Sequence, residues 1–203
     1  MEAPTAPHAE ARPGSALADA IRSLLQEIGE DPTREGLVRT PERIERMYAE
    51  LTAGYQTDPD RLLASACFDV DYDEMVVVRD IEFYSLCEHH LLPFYGRVHV
   101  GYLPRGRVVG LSKIPRIVDM YARRLQVQER LTVQVADFLM QRLEPKGVGC
   151  VVEGTHLCTM MRGVKKQAAT MVTSSMLGTF RRDPKTRGEF LTFLGHSPER
   201  IAP

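Results

Sequence analysis

Two short runs, Cys87-Glu88-His89-His90 and His156-Leu157-Cys158, gather two thiols and three imidazoles in a chain that otherwise uses both residue types sparingly. If both runs serve one metal ion, the fold must bring two distant segments to one point. Cys87 and His90 are three apart, a separation that a single turn folds onto one ion. His156 and Cys158 are two apart, so on a strand they project from the same face. Two cysteines and one histidine with the fourth position left to water is the catalytic form of a zinc site, whereas structural sites close with four protein ligands. Any one of these residues alone reads as a buried thiol or a hydrogen-bonded imidazole; two clusters this dense point to a metal. Cys67 and Cys150 read as reduced core residues, and four cysteines without a signal peptide do not describe a disulfide framework.

A chain of 203 residues is long enough for one domain with a real core, or a small appendage plus one domain. Its 26 Lys and Arg against 27 Asp and Glu create no global field toward nucleic acid or an anionic membrane. No apolar run approaches the ~20 residues needed to span a bilayer. The expectation is a soluble, cytoplasmic protein that binds neither nucleic acid nor membrane.

Residues 1–15 hold Pro4, Pro7, Pro13 and Gly14 with almost no large apolar side chain, the composition of a flexible tail. Residues 16–65 read as an N-terminal helical region. Leu17, Ile21, Leu24, Leu25 and Ile28 keep helical spacing until Gly29. Thr40-Pro41 then resembles a cap followed by proline at the first helical position, before the apolar face of Ile44, Met47, Tyr48 and Leu51.

Residues 66–203 change character. Met75–Val78 with Ile81, Phe83 and Tyr84 predict a strand running into the Cys87 cluster, and Arg97–Leu103 a second strand pairing with it as a hairpin. A helical stretch opens at Ser112, and its apolar phase slips near Leu125–Val127, which predicts two helices or one kinked helix. Strands over Cys150–Leu157 and Ala168–Met176 and a closing helix over Arg187–Leu194 complete the pattern. Strands grouped into hairpins predict an α+β fold, an antiparallel sheet of two hairpins with a helix pair on one face.

Two further constellations carry chemistry. Ser112, Lys113 and Arg116 gather at an expected helix N-terminus, where unpaired N–H groups and the dipole favour an anion, and the added cations suit a polyphosphate. The same residues also describe a serine cap with two solvated bases. Gln128-Glu129 supplies a carboxylate able to accept two hydrogen bonds from the N1–H and exocyclic amine of guanine, or simply a helix surface. Arg162, four residues after Cys158, brings a further cation or is an ordinary turn arginine.

Ser85-Leu86-Cys87-Glu88-His89-His90, Gly110-Leu111-Ser112-Lys113, Gln126-Val127-Gln128-Glu129-Arg130-Leu131-Thr132 and His156-Leu157-Cys158, in this order, resemble the zinc-dependent GTP cyclohydrolase I family from about Glu30 to Phe193. The resemblance implies a tunnelling fold, sheets joined around a ring, two rings stacked into a toroidal homodecamer, and active sites at subunit interfaces. It implies zinc on Cys87, His90 and Cys158, proton transfer by His89 and His156, and Glu88 as a supporting carboxylate. Ser112, Lys113, Arg116 and Arg162 become triphosphate contacts, with Arg43 reaching in from a neighbouring subunit. Gln128 and Glu129 join the substrate-binding residues, Glu129 as the reader of guanine. The implied reaction takes GTP and water to formate and 7,8-dihydroneopterin triphosphate, the entry to tetrahydrofolate and other pterins. Water adds at C8 while His156 protonates N7, and His89 with Ser112 helps open the ribose.

Overall fold

The computed structural model describes residues 15–63 and 66–195. The expected tail lies outside the described residues except for Ser15, whose hydroxyl accepts from the Ala18 N–H and caps the first helix. The described residues up to Ala53 form one compact unit and those from Gly54 onward a second. In the first, α1 (Ala16–Glu27) and α2 (Thr40–Leu51) pack together and share the Arg22–Glu42 ion pair at 2.7 Å. The cap of α2 lies one residue earlier than expected: Arg39 holds that position without a side-chain bond, and Thr40 is already helical.

The second unit begins with a 3-10 turn, Ala53–Gln56, that crosses the boundary, and a short α3 (Pro59–Leu63). Next come β1 (Cys67–Asp69), β2 (Val76–Cys87), β3 (Pro93–Leu103) and β4 (Arg107–Val109). Helix α4 (Lys113–Ala122), β5 (Leu125–Gln126) and α5 (Gln128–Leu143) follow. The chain closes with β6 (Gly147–His156), α6 (Leu157–Met160), β7 (Met171–Gly178), α7 (Thr179–Arg182) and α8 (Pro184–Gly195). Five strands form one sheet in the order β5-β2-β3-β6-β7. All pairings are antiparallel except β5 with β2, so two hairpins lie side by side as expected. The phase slip near Leu125–Val127 is a true break between two helices, occupied by the two-residue β5 alongside Leu86 and Cys87. The small β1–β4 sheet has no counterpart in the sequence-based expectation.

Strand ends differ from expectation in a way that matters for chemistry. The strand expected over Cys150–Leu157 spans Gly147–His156, so Cys158 lies in the helical turn α6 and does not share a strand face with His156. The ladder stops there because Phe94↔His156 is the last rung, and the next residue of β3, Pro93, has no N–H to offer. The last helix begins earlier than expected because the Asp183 carboxylate accepts from the N–H groups of Lys185 and Thr186, with Pro184 in the first turn.

One sheet face supplies Ile81, Phe83, Phe94, Val98, Val100, Val148, Cys150 and Val152, which bury against Ile114, Ile117 and Val118 of α4 and Leu131, Val135 and Leu139 of α5. The other face carries α7 and α8 at one end. There Phe180 and Phe190 rest on the bare backbone of Gly101 and Gly149, where an added Cβ would stand 2.7 Å from a ring carbon in each case.

Candidate active site

Cys87 ends β2, and the chain then turns through Glu88, His89 and His90. The Cys87 carbonyl accepts from the N–H groups of His90 (3.3 Å) and Leu91 (2.8 Å), and Leu91 takes a left-handed φ of 55°. The turn folds His90 back over the thiol, with Nδ1 3.8 Å from Cys87 Sγ. Cys158, delivered by α6, completes a trio whose ligand atoms all lie within 4.8 Å of one another. Both cysteines are buried and His90 is exposed. Burial, then the neighbouring Cys87 sulfur, push the Cys158 thiol up, while Arg162 opposes the shift. Two sulfurs and an imidazole at this spacing are a soft donor set suited to a divalent metal, whose charge removes the conflict between the sulfurs.

His89 and His156 stand outside the trio. His89 lies 3.9 Å from the Cys87 sulfur and, through Nε2, 3.9 Å from Glu88. Glu88 is paired with Arg130, whose hydrogen bond holds the carboxyl below its usual range. Arg130 is anchored in turn: Nε donates to Gln126 Oε1 at 2.9 Å and Nη2 to the Leu125 carbonyl at 3.1 Å. Gln126 donates to the Tyr121 carbonyl, and its own carbonyl receives the Glu88 N–H at 3.0 Å. The metal turn is thereby fastened to the break between α4 and α5. Sequence reasoning missed Arg130, because nothing in its spacing announces a partner 42 residues away.

The His156 ring stacks on Phe94, its cross-strand partner, with centroids 4.5 Å apart and planes 5° from parallel. Burial lowers its pKa and Glu129 opposes the shift. Its Nε2 lies 2.9 Å from Gln128 Oε1. Gln128, expected among the substrate contacts, is fully buried, and its Nε2 faces the carbonyls of Val152 (3.1 Å) and Met171 (3.0 Å) and the Thr173 hydroxyl (3.2 Å). Glu129 is exposed beside it.

Ser112 precedes α4 in a helical conformation and is exposed, and its side chain makes no cap bond, so the hydroxyl is not spent on capping the helix. Lys113 opens the helix, Arg116 is exposed within its first turns, and Arg162 is exposed in the loop after α6. Among the described residues, no carboxylate forms an ion pair with these three cations. No hydrogen bond links Ser112, Lys113 or Arg116 to the metal trio; α4 packs against β2, the strand that ends in Cys87. Arg43, in the other compact unit, is exposed on α2.

A family model for GTP cyclohydrolase I matches residues 17–195. The GTP cyclohydrolase 1 of Leptospira biflexa is 56% identical over 178 residues, 88% of this chain and 97% of the relative. That of Methylococcus capsulatus is 58% identical over 181 residues, 89% of this chain and 98% of the relative. The Rattus norvegicus enzyme of the same name is 56% identical over 88% of this chain and 74% of its own length. Among solved structures, an archaeosine synthase QueF-like protein in the apo form aligns with a TM-score of 0.42 at 21% identity, over 51% of this chain and 93% of that one.

Proposed function

Because the chain belongs to the GTP cyclohydrolase I family and has its activity on GTP, we propose that it works as a zinc enzyme with Cys87, His90 and Cys158 as its metal ligands. The observation that carries this reading is the trio itself: three ligand atoms within 4.8 Å, with neither His89 nor His156 among them. Three protein ligands suit a catalytic zinc with one open position. When bound there, zinc supplies Lewis acidity that makes water a nucleophile at neutral pH.

The remaining tasks fall to side chains. His156 gives a proton to N7 of the purine as water adds at C8; burial favours its neutral form and so makes its protonated form a readier donor. Glu129 accepts from the N1–H and exocyclic amine of guanine. Ser112, Lys113, Arg116 and Arg162 hold the triphosphate, which takes no part in bond changes and anchors the base for reaction. His89 with Ser112 assists ribose opening. Glu88, kept ionised by Arg130, is the supporting carboxylate beside His89, 3.9 Å away. The products are formate and 7,8-dihydroneopterin triphosphate, formed in the cytoplasm by a catalytic domain over residues 66–203. We further propose assembly into the toroidal homodecamer, which is supported by the edge of β7 that no described strand pairs and by apolar side chains exposed among the described residues.

Metal analysis combined with formate release tests the site. Cys158→Ala is expected to lose both zinc and turnover, since two ligands hold zinc poorly. His156→Ala is expected to keep zinc and lose turnover by about 10²–10⁴-fold, the usual worth of general acid–base help. Stoichiometric zinc in a folded Cys158→Ala protein, or a zinc-free but folded His156→Ala protein, overturns the ligand assignment.

A further inference from the structure

We infer that Gln128 is a positioning residue that fixes the tautomer of His156, holding Nε2 as the N–H and leaving Nδ1 to carry the proton that goes to the substrate. The inference rests on the reading of His156 as proton donor and goes beyond it by naming the donating atom and the residue that selects it.

The argument turns on which end of the Gln128 amide faces the histidine. One end lies 3.1 Å from the Val152 carbonyl and 3.0 Å from the Met171 carbonyl. Two carbonyl oxygens can only accept, so the atom between them must be the NH₂ group. The other end, 2.9 Å from His156 Nε2, is therefore the amide oxygen, and it too can only accept. Nε2 must then bear hydrogen. In the neutral ring the lone pair falls on Nδ1, and the proton gained or given during catalysis resides there. The proton leaves Nδ1 for the purine nitrogen, the Nε2–H stays on Gln128 Oε1, and the ring returns to neutral.

The surroundings hold this orientation. Gln128 has no exposed surface, so water offers no substitute partner for a flipped amide. A flip would set its oxygen against two carbonyls and its NH₂ against the Nε2–H. The Thr132 hydroxyl donates to the Gln128 carbonyl at 2.7 Å and must therefore accept from Thr173, 2.6 Å away. Gly154 leaves the space that Oε1 fills, since a Cβ there would stand 2.2 Å from it. Phe94 fixes the ring plane by stacking. Tilt and tautomer are thus set by separate neighbours, the arrangement by which outer residues orient functional histidines.

Zinc-loaded protein carrying ¹⁵N-histidine, at a pH where the ring is neutral and with His156 assigned by its loss in His156→Ala, reports the tautomer without altering Gln128. An Nε2-protonated ring is expected. Gln128→Met, close in volume but without the amide, is expected to keep zinc and GTP affinity and to lose kcat by about 10- to 100-fold. Gly154→Ala, which crowds Oε1 with Gln128 still present, is expected to lose kcat in the same way. The inference is overturned by an Nδ1-protonated ring, by unchanged kcat in folded Gln128→Met, or by a loss of GTP affinity that matches the loss of kcat, which would make Gln128 a substrate contact. If His156→Ala keeps wild-type turnover, the reading of His156 as donor falls and takes the inference with it; an Nδ1-protonated ring in an enzyme that His156→Ala inactivates overturns the inference alone.

Discussion

Lys113 and Arg116 lean on no carboxylate among the described residues, so removing either charge should leave the fold intact and be felt mainly by a ligand. Lys113→Ala is expected to weaken GTP binding by about 1.5–3 kcal/mol, roughly ten- to a hundredfold, while guanosine binding stays within about threefold. Titrating both ligands decides it: equal losses would mean that Lys113 does not meet the phosphates. Glu129→Gln should give the opposite pattern, blurring discrimination among purines while the triphosphate contribution survives. That Cys87, His90 and Cys158 come together was legible in the sequence, because residue type restricts what two such dense clusters can do. Supporting residues were less legible. Arg130 meets Glu88, and Gln128 meets His156, only after two helices and a sheet have formed, so neither pairing leaves a local trace.

Secondary-structure elements were readable where one face is buried and the apolar period survives. α1, α4, α5 and the two hairpins follow from such patterns, whereas β1 and β4, three residues each, are too short to show a period. Strand ends depend on what the neighbouring strand offers, which is why Cys158 falls in α6. The packing of α7 and α8 yields a prediction at this scale. Gly149→Ala would set a Cβ 2.7 Å from the ring of the fully buried Phe180, and overpacking of this kind costs about 1–3 kcal/mol. Thermal melting should show a lower Tm with kcat unchanged, because this contact belongs to the end of the sheet that bears α7 and α8. The irregularity in β2 between Val78 and Ile81 gives another. There Asp80, at a φ of 59°, donates its N–H to Nδ1 of buried His99 at 3.1 Å, a bond that requires an unprotonated Nδ1. Burial lowers the His99 pKa below 6.5; Asp80 and Glu153 oppose the shift, and Arg97 and Arg79 add to it. With the folded value depressed, the unfolded chain binds the extra proton first. This contribution is complete above the unfolded value and is lost as pH falls below about 6.5. His99→Asn, which retains an acceptor but does not titrate, should flatten the decline in Tm between about pH 7.5 and 5.5, both proteins being kept in excess zinc.

At the scale of the whole molecule, a single chain leaves surface that a monomer has little use for. Of the periodic apolar residues along α1 and its C-cap, Leu17, Leu24 and Ile28 remain 39%, 53% and 66% exposed, and Val172 on β7, the edge strand among the described residues, is 62% exposed. Helical periodicity marked the α1 residues as a buried face, and another copy of the chain would bury what its own fold does not. If assembly also builds the active site, with Arg43 of one subunit serving the metal trio of the next, then two inactive variants can repair each other. Arg43→Glu keeps Cys158, and Cys158→Ala keeps Arg43. After dissociation and random reassembly of equal amounts, half the trios are intact, and half of those meet a neighbour with an intact Arg43. About a quarter of wild-type activity is therefore expected from two preparations that are each nearly dead. Sedimentation would report the assembled size in the same samples. Sites confined within one chain would give no recovery, because every chain in the mixture carries one lesion. That outcome, with assembly intact, would confine the contribution of Arg43 to its own chain and remove the interface from the mechanism; an active Arg43→Glu protein would remove Arg43 itself.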